Sequence, residues 1–307
     1  MKLVRFQSAG RGGWAVHHPA TGAWHGCTQG GAAYPGDVDD LLRQGREALD
    51  AAAATMARHP AVDLAAVQLL APVARPAKIL CVGLNYRDHT AESGFVQPAY
   101  PTLFARFNSS VVAHGAPILH SPLSDTLDFE GELVAVIGTG GSRIAREDAL
   151  SHVLGYSVFN DASVREYQFK TPQWTMGKNF DGTGAFGPCL VTADELPPGA
   201  RGLLLETRLN GQTVQSANTS DMVFDIESLI VTISEAITLE AGDLIVAGTP
   251  AGIGHAREPR LYMQPGDTCE VEIERIGLLR NPIRQLAAAP SAPTPTRQGD
   301  TPCATTA

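Results

Sequence analysis

The sequence predicts an α+β protein dominated by a mixed β-sheet, and three observations carry that reading. From Lys78 to about Pro282 many short Val/Ile/Leu runs are separated by Gly, Pro, Asn and Asp, the pattern of strand and turn. Helical periodicity is confined to a few stretches. Strand and helix do not alternate regularly, which argues against a doubly wound parallel sheet. At 307 residues the chain has room for a large domain with a small one attached. The boundaries are read as 1–72 for a small N-terminal α+β unit, 73–286 for the β-rich unit and 287–307 for a tail.

Residues 1 to about 36 mix short alternating stretches, KLVRFQ, WAVHH and GAWHGC, with glycine, and predict a few small strands. His17, His18 and His25 among them read as strand and turn residues, not ligands. A helix is expected from Val38 to Arg58, rich in Leu, Ala, Glu and Arg, with Asp37 as N-cap and Gly45 as a weak point at its centre. Pro60 and LLAPVARPAK then connect the two units. Strands follow at KILCVGL, TLFARF, LVAVIG, VLGYSVFND, PCLVT, LLLETRLNG, LIVAGTP and TCEVEIERIG. Helices are expected at REDALSHV and at IESLIVTISEAI, where Leu229, Ile233 and Ile237 fall at helical spacing. After Leu286 almost no large apolar residue remains, so the tail is expected to be disordered.

Composition narrows the function classes. A formal charge of −9 without a basic stripe gives no footprint for nucleic acid. No apolar run approaches the ~20 residues of a membrane span, and glycines interrupt the start where a signal sequence would need a continuous apolar core. Cys27, Cys81, Cys189, Cys269 and Cys303 are odd in number and far apart, which fits a reducing compartment better than a disulfide framework. A cytoplasmic protein is expected.

The stretch LDFEGELVAVIG poses the chemical question. Its second half is an unbroken apolar strand, yet Glu130 and Glu132 stand at the leading end with Asp128 just before them. Strand side chains alternate with a period of two, so both glutamates point the same way and repel unless something positive lies between them. A hard divalent cation answers that need, since Mg²⁺, Mn²⁺ and Ca²⁺ take carboxylate oxygens and water. Asp161, ending the apolar strand in GYSVFND, is a candidate third donor. On spacing alone the other reading, a solvated strand end, stands equally.

Further segments bear on that choice. CVGLNYRDHTAESG, PTLFARFNSS, DFEGELVAVIG, GYSVFNDASVREYQ, WTMGKNFDGTGAFGP, LNGQTVQSANTSDMVFDI, LEAGDLIVAGTPAGIG and PGDTCEVEIERIGLLRNPI occur in that order. Over about residues 78 to 282 the chain resembles the fumarylacetoacetate hydrolase family. The resemblance implies a catalytic domain made of a rolled, mixed β-sheet, a metal at its mouth and a homodimer. It places Glu130, Glu132 and Asp161 on the family's metal-ligating acids, for Mg²⁺ or Mn²⁺, with Ca²⁺ an alternative. Longer eukaryotic members carry a further aspartate ligand upstream of the histidine; no carboxylate stands seven residues before His89, so a three-carboxylate site is expected. Asp128 is read as support from behind or as the strand's start.

The resemblance also implies a dyad in which Glu92 orients and charges His89. The two lie three apart, so one helical turn brings them together, and an imidazole suits proton transfer near neutral pH. Lys178 falls on the family lysine that faces the substrate and would stabilise a developing oxyanion. Arg165, Gln168 and Thr249 fall on substrate-binding positions. Arg106 stands where many small relatives have lysine; its guanidinium is expected to grip a substrate carboxylate bidentately.

The implied reaction is hydrolysis of a carbon–carbon bond in an acylpyruvate-like 1,3-dicarbonyl acid, by water activated at His89. The alternative is decarboxylation, isomerisation or hydration of a 2-oxo acid such as oxaloacetate or an unsaturated 2-oxo diacid, through the same enolate. A catalytically silent, metal-stabilised binding protein is the competing class; the presence of His89, Glu92 and Lys178 argues against it.

Overall fold

The structure, a computed structural model, describes residues 1–31 and 33–287, so the tail expectation lies, but for its first residue, outside the described residues. The expected α+β fold is present as a large mixed sheet, a smaller five-stranded sheet and few helices.

The apolar run Leu133 to Ile137 explains the architecture. It lies in the strand Gly131–Ile137, every residue of which is buried. Leu133, Ala135 and Ile137 pack into one core while Val134 and Val136 pack into another, so both faces of the sheet are covered. A strand buried on both sides must be apolar without alternation. One cover is the N-terminal helix pair, through Leu41, Leu42, Leu49 and Met56. The other is the five-stranded sheet, through Leu205, Val271, Ile273 and Leu279, with the helix Ile226–Ala236.

Across the large sheet the strands Lys2–Ser8, Gly184–Thr192, Val153–Asp161, Gly131–Ile137, Leu244–Val246, Ile79–Gly83 and Thr102–Arg106 lie side by side. Most neighbours are antiparallel; Leu244–Val246 runs parallel to Ile79–Gly83. The strands of residues 1–72 join this same sheet, since Leu3 pairs with Leu190 across the Lys2–Ser8 and Gly184–Thr192 strands. The boundary near residue 72 therefore falls within one continuous sheet.

Three local expectations are corrected. The helix expected from Val38 to Arg58 is two, Val38–Gln44 and Arg46–Met56. They break at Gly45, whose φ of 104° is open to glycine and costly to other residues. Asp37 does precede the first helix, but its carboxylate makes no cap; it accepts hydrogen bonds from Tyr34 Oη and Gln29 Nε2 instead. REDALSHV yields only the 3₁₀ turn Ala149–His152, because the chain is already extended in the strand Val153–Asp161 immediately after it. IESLIVTISEAI is helical as expected over Ile226–Ala236, capped by Asp225 Oδ1 on the Ser228 N–H.

Candidate metal centre and active site

Strand register assembles the acids. Gly131 pairs with Asn160, which sets Glu130 beside Asp161 on the neighbouring strand. The Asp161 N–H donates to the Glu130 carbonyl at 2.8 Å, and the Glu130 N–H donates to Asn160 Oδ1 at 3.0 Å. One carboxylate oxygen from each of Glu130, Glu132 and Asp161 lies within 4.8 Å of the others, and all three residues are buried.

Their charges are only partly compensated. Lys178 Nζ lies 2.5 Å from Glu130 Oε2 and 2.6 Å from Asp161 Oδ2. Arg165 approaches Glu130 Oε1 at 2.7 Å, and Arg106 Nη1 pairs with Asp161 Oδ1. Burial raises the pKa of Glu130, but Arg165 and Lys178 outweigh it and hold that carboxyl at about 2. Burial works against the Lys178 charge, yet Asp161 and Glu130 raise its pKa. Glu132 has no cationic partner among the described residues; its Oε2 accepts only the Gly248 N–H, at 2.6 Å. Burial, and then the charges of Asp161 and Glu130, push its pKa well above the ordinary value. Three converging buried carboxylates, one of them uncompensated, fit a hard dication that would neutralise Glu132 directly.

His89 lies beside this cluster on the short helix Arg87–Glu92, and the two share one cavity of about 260 Å³. His89 Nδ1 is 3.0 Å from Glu92 Oε1. Glu92 is itself fixed, because its Oε2 accepts the Gly252 N–H at 2.8 Å. With Nδ1 turned to the carboxylate, Nε2 is the nitrogen left for chemistry in the cavity.

Lys178, Arg165, Gln168 and Thr249 also line the cavity. Arg165 and Gln168 share the turn Arg165–Gln168, and Arg165 Nη1 donates to Gln168 Oε1 at 2.9 Å. Thr249 donates to the Gly131 carbonyl and accepts from Gln215 Nε2 at 2.9 Å. Arg106 departs from expectation. Its buried guanidinium is taken up by Asp161, the Ala162 carbonyl, Thr183 and Ser110, and it does not line the cavity. The strand geometry that would have aimed a lysine or arginine at a ligand instead places Arg106 behind Asp161, where it orients that carboxylate.

Asp128 was read from the sequence as support from behind or as the strand's start, and its contacts are those of support, whereas Gln215, His255 and Trp174 were not singled out. Asp128 is fully buried and accepts from Arg165 Nε at 2.8 Å and from the Gly254 and His255 N–H groups. Gln215 fixes Gly131 and Thr249 together. His255 and Trp174 line the cavity; His255 directly follows the GTPAGIG stretch, so its position near the site was the available signal.

A rolled mixed sheet with a buried acidic cluster beside an oriented imidazole defines an enzyme site for small molecules. The family model for the fumarylacetoacetate (FAA) hydrolase C-terminal domain matches residues 78–284, and the chain belongs to the fumarylacetoacetate hydrolase family. It is 37% identical over 292 residues to the rat oxaloacetate tautomerase Fahd2a, mitochondrial, covering 92% of this chain and 91% of that one. It is 42% identical over 225 residues to the Bacillus subtilis oxaloacetate tautomerase YisK, covering 72% and 74%. Among solved structures, the fumarylacetoacetate hydrolase of Exiguobacterium antarcticum superposes with a TM-score of 0.81 at 38% identity, covering 93% of this chain and all of that one. The maleylpyruvate hydrolase of Sphingobium sp. SYK-6, solved with manganese(II) and pyruvate, superposes with a TM-score of 0.76 at 27% identity, covering 93% and 99%.

Proposed function

We propose that this protein interconverts the keto and enol forms of oxaloacetate or a closely similar 2-oxo dicarboxylic acid, with Mg²⁺ or Mn²⁺ as cofactor. The observation that carries the reading is the His89–Glu92 pair facing the acidic triad across one small cavity. Relatives spanning most of the chain and named as oxaloacetate tautomerases support the substrate.

A dication held by Glu130, Glu132 and Asp161 would supply Lewis acidity at the 2-oxo group and so raise the acidity of the adjacent C–H. His89 Nε2 takes the proton from C3, and Glu92 at Nδ1 stabilises the imidazolium that results. Lys178 Nζ lends a hydrogen bond to the oxygen on which charge develops. In the enol-to-keto direction His89 returns the proton to C3. Tautomerisation needs no water as reactant, and Phe104 and Trp174 give the cavity an apolar wall.

Hydrolysis of an acylpyruvate uses the same residues with His89 acting on water, and the maleylpyruvate hydrolase neighbour supports it at lower identity. The oxaloacetate reading has the better support, from relatives named for that activity that span 92% and 72% of this chain. The test follows enol disappearance by ultraviolet absorbance with Mg²⁺ or Mn²⁺ present, with acylpyruvate cleavage assayed in parallel. Acceleration over buffer, lost in His89→Ala and on chelation, supports tautomerisation. No acceleration together with acylpyruvate cleavage overturns it in favour of hydrolysis.

A further inference from the structure

The tautomerase reading leaves open what recognises the second carboxylate of the substrate. We propose that His255 is the specificity-determining residue for that group, donating a hydrogen bond from Nε2 to the distal carboxylate of a dicarboxylic substrate. The inference rests on the 2-oxo diacid reading above and goes beyond it by assigning a subsite.

His255 lines the cavity but takes no part in the proton transfer or the acidic cluster. Its backbone is anchored, because its N–H donates to Asp128 Oδ2 at 2.9 Å. The same oxygen accepts Arg165 Nε at 2.8 Å, so one carboxylate holds both residues in place. The ring is held too: it packs against Phe169 with centroids 5.1 Å apart, and Nδ1 lies 2.8 Å from Tyr262 Oη.

The Tyr262 contact sets the tautomer. In the proposed arrangement the phenol of Tyr262 turns its hydrogen to His255 Nδ1, 2.8 Å away. That nitrogen then accepts, and Nε2 carries the ring hydrogen. Tyr262 and His255 then form a pair of donors in series whose inner member lines the cavity, an arrangement suited to an anion. Arg165 lends positive charge beside His255, since its Nε donates to the same Asp128 oxygen that accepts the His255 N–H. The metal-facing end is occupied by carboxylates and suits the 2-oxo acid end of the substrate only when they are neutralised. The His255 end is therefore left for the distal group.

The test compares oxaloacetate with its 4-monoester, which keeps the reacting carbons and loses the distal charge. In wild-type protein kcat/KM favours the diacid. His255→Leu is expected to lower that preference about tenfold, as loss of one hydrogen bond to a charged group would, mainly through KM. Tyr262→Phe, which leaves the ring in place but frees its tautomer, is expected to lower the preference by a smaller factor. A preference within about twofold of wild type in both variants overturns the proposal. A second arm measures binding of malate and its 4-methyl ester to the Mg²⁺-loaded protein by calorimetry. If wild type turns over neither oxaloacetate nor its ester, the tautomerase reading fails, while the malate arm still decides the subsite: loss of diacid preference in His255→Leu sustains it, and an unchanged preference refutes it.

Discussion

Arg106 Nη1 donates to Asp161 Oδ1 with both side chains fully buried, so one of the cluster acids is held from behind by a cation that no ligand meets. Removing one partner of such a pair leaves an uncompensated buried charge. Arg106→Met is expected to cost about 3–5 kcal/mol of stability in urea unfolding. It is also expected to weaken Mg²⁺ or Mn²⁺ binding, because Asp161 loses its orientation. A purely substrate-binding arginine would raise KM and leave stability alone, and that result would refute this placement.

The uncompensated Glu132 makes stability depend on pH and metal together. In the metal-free protein burial, with the charges of Asp161 and Glu130 behind it, raises its pKa far above the 4.5 of an unburied glutamate. The folded chain keeps a proton that the unfolded chain gives up, so this contribution is full below pH 4.5 and falls as pH rises toward the folded-state pKa. Glu130 has the opposite sign. Burial raises it but Arg165 and Lys178 hold it at about 2, so its contribution is full above 4.5 and is lost as pH falls through 2. Thermal melts of chelated protein should show Tm falling as pH rises above 4.5, and Glu132→Gln should flatten that slope. Added Mg²⁺ or Mn²⁺ should raise Tm more at the higher pH, since the ion competes with the proton. A gain that shrinks with pH would count against the site.

His89→Ala is expected to lower kcat by about 10²–10⁴-fold, the usual worth of a positioned acid–base group. Metal affinity measured by calorimetry should change little, because the imidazole is not among the clustered ligands. Glu92→Gln should lower kcat by less and shift the pH–rate profile, since Glu92 acts through the imidazole. Equal losses of kcat and metal affinity in His89→Ala would make the histidine structural.

Gly177 lies in the turn Thr175–Lys178, and a Cβ there would stand 2.4 Å from the Gln168 backbone nitrogen. Gly177→Ala should push the Lys178 turn away from the Arg165–Gln168 turn, costing about 1–3 kcal/mol by overpacking and raising KM. A stability and KM equal to wild type would show that the two turns are not coupled.

How much of this could be read from the chain depends on how local each signal is. A period-two strand made Glu130 and Glu132 legible as a pair aimed one way and a helical turn made His89 and Glu92 neighbours, but it was the family resemblance, not the spacing, that read them as metal ligands and a dyad. The two-sided burial of Leu133 to Ile137 was visible as an unbroken apolar run. Arg106 was misjudged because its partner Asp161 lies on another strand, and only strand register reveals which face a side chain serves. Gln215 and Asp128 accept hydrogen bonds from the distant Gly131 and Gly254 backbone N–H groups, and the His255 N–H donates to the Asp128 carboxylate, partners that no spacing rule records. The broken first helix turned on the single φ of Gly45.

The two halves of the catalytic apparatus rest on supports of unequal permanence. The acids stand at the ends of interior strands covered on both faces, whose amides should exchange with solvent only when the whole molecule opens. His89 rides on a six-residue helix next to a surface loop that exposes Phe95, Val96 and Tyr100, the kind of segment that detaches by itself. Amide exchange over Arg87–Glu92 is therefore expected to outpace exchange over the strands that lead to the acids, so the imidazole and the carboxylates would answer to two different opening events.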